Sequence, residues 1–262
     1  MLKKLLKYDL KYCFKPLSIF YILAIIFSVI CRIIESFDKS LILVIIDKIC
    51  SGIVIAMIAN IIINTFMRNW VRFINNVYKD ESYLTHTLPI SKKQIFLSKV
   101  LSITITLLTS FLVIIGCLAI VWLNKDTWLI LKQSLEASSV IFNGSVSSLV
   151  IVLIITMFFK FLTIAMSGIL GIILGYKANN YKTLKSIIFG IIIYILLSLI
   201  SLGILYVTGL INPEFMNIFK NININSNTLR NMLLIIVSIY VLYNILMYIV
   251  GNKLLNDGVN VD

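Results

Sequence analysis

Few residues in this sequence of 262 carry reactive chemistry. The single histidine, His86, has no carboxylate or metal-ligand partner at a spacing that would orient it, so it reads as a docking residue and not as an acid, base or pH sensor. Cys13, Cys31, Cys50 and Cys117 show no CxxC or Cys/His spacing and are expected to be packed thiols, not metal ligands or a disulfide framework. Nothing matches the phosphate-cradling G-x-x-x-x-G-K-[ST] loop, because Gly171 and Gly175 fall in an apolar run and are followed by Tyr176 and Lys177. No catalytic residue, metal or cofactor is therefore assigned to this chain.

The remaining polar candidates sit inside apolar stretches. Lys160 interrupts one near its middle, where a lysine costs about 2.5–3.5 kcal/mol unless it snorkels, pairs or faces water. It either lines a polar path across the bilayer or reaches the headgroups with its long stem. Asn60 and Asn64, four residues apart and so on one helix face, could line the same path or hydrogen-bond a neighbouring helix. Gly168, Gly171 and Gly175 form a small-residue face that would let another helix approach closely.

The elements that hold these residues follow from composition. The chain is 60% hydrophobic and 13% charged, with a mean hydropathy of +1.03, which is too apolar for the surface of a soluble domain of this size. A spanning helix needs about 20 apolar residues to cross a hydrocarbon layer of roughly 30 Å with every backbone group bonded internally. Six stretches qualify, at 17–34, 49–67, 100–123, 146–174, 187–211 and 231–250. The expected fold is all-α and integral to the membrane, one domain over residues 1–262 with no soluble part. Pro16 fits the first turn of the first span and separates it from residues 2–14. There Leu2, Leu5, Leu6, Leu10 and Phe14 share a face away from most of Lys3, Lys4, Lys7 and Lys11, the pattern of a separate interfacial amphipathic helix. No small-residue cleavage site follows, so no cleaved signal peptide is expected.

The net charge of +12 flanks apolar segments instead of forming a patch, which argues against nucleic acid and for topology signals. Fifteen Lys and Arg fall on one side of the spans, including Lys177, Lys182, Lys185 and Lys253, against six on the other. Arg32, Lys39, Lys125, Lys132, Lys220 and Arg230 on that second side are offset by Glu35, Asp38, Asp126, Glu136 and Glu214. The rule that basic residues stay inside puts both termini in the cytoplasm. Trp70, Trp122 and Tyr176 fall at span ends, where amphipathic rings favour the headgroup layer. Asp47 and Lys48 read as interfacial.

The connection over residues 68–99 is the most informative segment. Pro89 disfavours helix at Leu88, and Ser91 with Gln94 forms the S-x-x-Q capping box that opens a helix. Before it, residues 78–87 suit a short helix or turn, with Asp80 and Glu81 at its start and Tyr83, Leu84 and His86 presented outward. Such a projection could dock a soluble partner or simply lie on the headgroups.

The run DESYLTHTLPISKKQIFLSK, from Asp80 to Lys99, resembles the connection between the second and third membrane helices of bacterial type-2 ABC exporter permeases. In that family an acidic residue precedes an LP(I/V)S turn and a basic helix start. The basic N-terminal element and the six-helix plan are similar too. The resemblance implies a coupling loop that fits a groove on a separate ATPase subunit, with Tyr78, Asp80, Glu81, Tyr83, Leu84, His86, Leu88 and Pro89 as the docking residues. It also implies ATP and Mg on that partner, a second permease subunit that is identical or paralogous, and a place in the bacterial plasma membrane, with lipid as the surrounding partner. The cargo would be a peptide or an amphipathic drug. Other readings are a non-transporting anchor or sensor subunit and an ion-coupled carrier, although no internal repeat and few buried acids suggest the latter. A membrane enzyme would need converging catalytic groups that the sequence does not offer.

Overall fold

The structure, a computed structural model, describes residues 2–37, 40–87, 89–122, 125–142, 145–178, 180–211 and 226–256. Among them the chain is all helix: α1 (Leu2–Glu35), α2 (Leu41–Val77), α3 (Ser82–Thr87), α4 (Lys92–Trp122), α5 (Lys125–Phe142), α6 (Val146–Tyr176), α7 (Lys182–Ile211) and α8 (Ser226–Asn256). Six of these, all but α3 and α5, are long and apolar enough to cross a membrane, as the sequence predicts. The helices group into two compact units, α1 to α4 within Met1–Leu129 and α6 to α8 within Ile130–Asn260, while α5 runs across the division. Of the connection expected between the spans at 187–211 and 231–250, residues 212–225 lie outside the described residues, as do the side chains of Asp38, Lys39, Lys125, Asp126, Glu214 and Lys220.

Helix ends follow local chemistry. Ser40 caps α2 by accepting from the Leu43 N–H, and Ser145 caps α6 by accepting from that of Ser148. Ser91 accepts from the Gln94 N–H at 3.4 Å, so α4 opens at the expected capping box. Several helices nonetheless outrun their apolar cores. The second is expected from 49 and begins at Leu41, and the third runs from Lys92, at its expected start, well before the apolar span that opens at 100. A helix whose other faces are packed or wet need not end where hydropathy does.

The expected separate helix over residues 2–14 is not a separate element. It forms the first turns of α1, which runs through Pro16. Proline inside a helix removes one backbone hydrogen bond and costs about 3 kcal/mol. Here burial outweighs that penalty: Asp9, Cys13 and Leu17, on one stripe spanning the proline, are all buried where α1 packs on α2 and α4. The Ser18 hydroxyl donates to the Lys15 carbonyl at 3.0 Å beside the interruption.

At 1.5 Å per residue α1 is about 51 Å long, well beyond a hydrocarbon layer of about 30 Å. Its exposed side chains change type along that length. Lys3, Lys4, Lys7, Tyr8, Lys11 and Lys15 give way to Ile19, Ile22, Ile25, Ile26, Val29, Ile30 and Ile33. On α2 the exposed apolar run ends at Met67, just before Arg68. The basic ends of α1, α2 and α4 therefore carry water-compatible surface, and the remainder carries lipid-compatible surface.

In the second unit α6 and α7 approach at backbone distance. A Cβ on Gly171 would strike the Gly190 backbone, and one on Gly175 would strike Ser186, so both positions require glycine. The glycine face predicted on α6 is thus filled by α7. Against α8, Asn244 donates to Thr163 Oγ1 of α6 at 3.0 Å.

Candidate functional site

The core of the first unit changes character along its length. At one end Cys31, Cys50, Val54 and Val121 make an apolar cluster, and a second forms around Ala24, Ile61 and Cys117. Toward the basic end hydroxyls replace carbon. Tyr21 OH and Thr65 Oγ1 each lie 2.7 Å from Ser110 Oγ, joining α1, α2 and α4 at one oxygen. One turn further, Asn69 donates to Thr106 Oγ1 at 2.9 Å and accepts from Ser102 Oγ and Cys13 Sγ, both at 3.5 Å.

Beyond that layer the core is ionic. Asp9 of α1, 3% exposed, accepts from Lys99 Nζ at 2.6 Å, from Ser98 Oγ at 2.9 Å and from Arg72 Nε at 3.0 Å. The Arg72 Nη1 donates to both carboxylate oxygens of Glu81 at 2.8 Å, and its guanidinium lies 4.9 Å from the centroid of the Tyr12 ring. Asn76 donates to Glu81 and accepts from Lys99. Two cations and two carboxylates thus cancel: pairing permits the charges of Asp9, Lys99 and Arg72 in the interior, and Glu81, 44% exposed, closes the cluster at the surface. A cavity of about 30 Å³ sits among them, lined by Leu5, Tyr8 and Ile95 as well as by Asp9, Arg72 and Lys99, and is large enough for a water molecule.

This cluster carries α3. The Glu81 N–H donates to the Asn75 carbonyl at 3.0 Å and the Ser82 N–H to that of Lys79 at 2.7 Å, which turns the chain off the end of α2. Ser82 and Thr85 of α3 are buried, whereas Tyr83 and Leu84 are 76% and 66% exposed. Asp80 and Pro89 are exposed as well. Tyr78 points inward, 2% exposed and edge-on to Phe73, which also packs edge-on to Phe96 of α4. The side chain of His86, and Leu88 altogether, lie outside the described residues.

The two asparagines singled out within the second apolar stretch do not join this cluster. Asn60 and Asn64 each donate to a carbonyl of their own helix, Ala56 and Asn60 respectively, at 2.9 Å. Lys160 is exposed on α6. The residues that do converge were readable as stripes: Thr65, Asn69, Arg72 and Asn76 recur at helical spacing on α2, and Ser98, Ser102, Thr106 and Ser110 do so on α4. On α1 the matching signal is Asp9, the one acid among the N-terminal lysines.

Compared with known proteins, the chain matches no family model, no curated protein and no solved structure.

Proposed function

We propose that this chain is the membrane-spanning permease subunit of an ATP-driven exporter, and that α3 is the contact it offers to a separate ATPase subunit. The observation that carries this reading is α3 itself. An aromatic and an aliphatic side chain, Tyr83 and Leu84, stand exposed on a short helix whose inner face is buried against α2. Apolar anchors already held in place lose little entropy on binding, so they suit the centre of a protein interface. The resemblance of residues 80–99 to the coupling loop of type-2 exporters supplies the nature of the partner. The N-terminal element no longer adds to that support, because it is the start of α1.

In this reading the basic end of the first unit faces the cytoplasm, as the Lys and Arg asymmetry suggests, with both termini on that side of a bacterial plasma membrane. ATP and Mg bind the partner, and this chain transfers no chemical group. A second permease subunit, identical or paralogous, completes the path for a peptide or amphipathic drug. Docking on α3 biases a two-state equilibrium between inward-open and outward-open arrangements, to the extent that the two states bind the partner differently.

The test is affinity purification of the full chain from its native membrane in detergent, comparing wild type with a Tyr83→Arg, Leu84→Arg double variant by mass spectrometry. The expected result is an ATPase subunit recovered with the wild type and lost from the variant, whose thermal midpoint is unchanged because both side chains are exposed. Recovery of the ATPase with both forms would move the docking surface elsewhere. Its absence from both would leave a non-transporting anchor or a self-contained carrier.

A further inference from the structure

α3 does not hold itself in place. Six residues make fewer than two turns, too short to persist alone in water. Its position depends on Ser82 and Thr85, which are buried, and on Glu81 immediately before it. Glu81 bonds to Arg72 and Asn76 of α2, and the same Arg72 bonds to Asp9 of α1. Asp9 passes the connection to α4 through Ser98 and Lys99.

We infer that Arg72 is a positioning residue that fastens the segment bearing α3 to α1, so that the two open and close as one unit. Its functional meaning, that a push on α3 is delivered to α1, rests on the docking role proposed above. The fastening itself does not. A guanidinium suits the task because its rigid fork serves two carboxylates from different edges, Nε toward Asp9 and Nη1 toward Glu81, which a lysine's single ammonium cannot reproduce. The neutral quartet is not a ligand site: its two cations already answer its two anions. Buried ion clusters add little net stability over apolar packing of the same volume. What this one supplies is a fixed geometry between two segments far apart in sequence.

The test is hydrogen–deuterium exchange with mass spectrometry on the full chain in lipid nanodiscs with no partner present, so it is independent of ATPase capture. The variants are Glu81→Gln, Asp9→Asn, the two combined, and Arg72→Met. Glu81 and Asp9 share Arg72 directly, and a longer route from Glu81 through Asn76 and Lys99 also ends on Asp9. Fastening therefore predicts reciprocal effects. Glu81→Gln speeds exchange in residues 5–13 as well as 81–87, and Asp9→Asn speeds it in 81–87 as well as 5–13. Each effect is roughly tenfold, the scale of one charge-assisted hydrogen bond. The combined variant shows less than the product of the two single effects, and Arg72→Met, which leaves the Asn76–Lys99 route in place, still speeds exchange in both segments. Effects confined to the mutated segment would overturn the inference, as would effects that multiply. If Arg72→Met does not fold, the near-isosteric carboxamide variants still decide the question.

Discussion

Where α1, α2 and α4 meet at their basic ends, the contact residues are ions, amides and hydroxyls; where α6 meets α7 they are glycines and a serine. Both arrangements answer the same difficulty. Lipid removes the hydrophobic drive between helices, so association must come from close packing or from polar bonds. The first unit uses polar bonds, and they strengthen in charge toward the end whose outer surface is wet. Charge costs least there, and directional bonds fix how far each helix has slid along its neighbours. The second unit uses backbone proximity, which needs no polar group at membrane depth but tolerates no side-chain growth. A helix surface that carries a short projecting helix such as α3 gains from the first device, since ion pairs define one register where an apolar stripe permits several.

That contrast can be broken at either end. Asp9→Ala should have the largest effect, because it removes the carboxylate shared by Arg72, Ser98 and Lys99 and leaves Lys99, 6% exposed, without its anion. Breaking a buried pair costs about 3–5 kcal/mol, read as a large drop in the unfolding midpoint in detergent. Adding Lys99→Met should recover most of the loss, and no recovery would mean that Asp9 acts by packing and not by charge. Gly171→Ala should cost less, about 1–3 kcal/mol from overpacking, since its Cβ meets the Gly190 backbone, which cannot rotate aside. The effect should reduce proximity cross-linking between α6 and α7 and leave the first unit untouched. Unchanged cross-linking would mean that the two helices adapt, and the contrast between the units would then be weaker than described.

The six spans were legible because their signal is composition over about 20 residues, which no tertiary contact needs to supply. The glycine face of α6 was legible for a similar reason: small residues on one side of an apolar helix have few other uses. The ionic cluster was not read, although each stripe was present. Asp9 does not stand out in the sequence, because Pro16 reads as the boundary between residues 2–14 and the first span. Once α1 runs through the proline, Asp9 and Cys13 fall in line with Leu17 and must be buried. Asn60 and Asn64 drew notice as polar residues at membrane depth, yet each is satisfied by its own helix. Asn69 and Asn76 reach neighbours instead, a difference set by which face α4 covers. Asp80 and Glu81 read alike in the sequence, as the two acids at the start of the short helix. The structure pairs Glu81, still 44% exposed, with Arg72, and only the packing of a three-helix end decides between the two acids.

The central claim is that the first turns of α1 stand with α2 and α4 as a water-exposed platform beneath α3, instead of lying on the membrane. The most direct measurement is labelling of single Tyr8→Cys and Tyr83→Cys variants with a membrane-impermeant maleimide, in inverted and right-side-out vesicles. Background is low because the four native cysteines are buried. Both introduced thiols should label rapidly in inverted vesicles and remain unlabelled in right-side-out ones. Labelling of the two from opposite sides, or protection of the thiol at position 8 by lipid while that at position 83 reacts, would contradict the account.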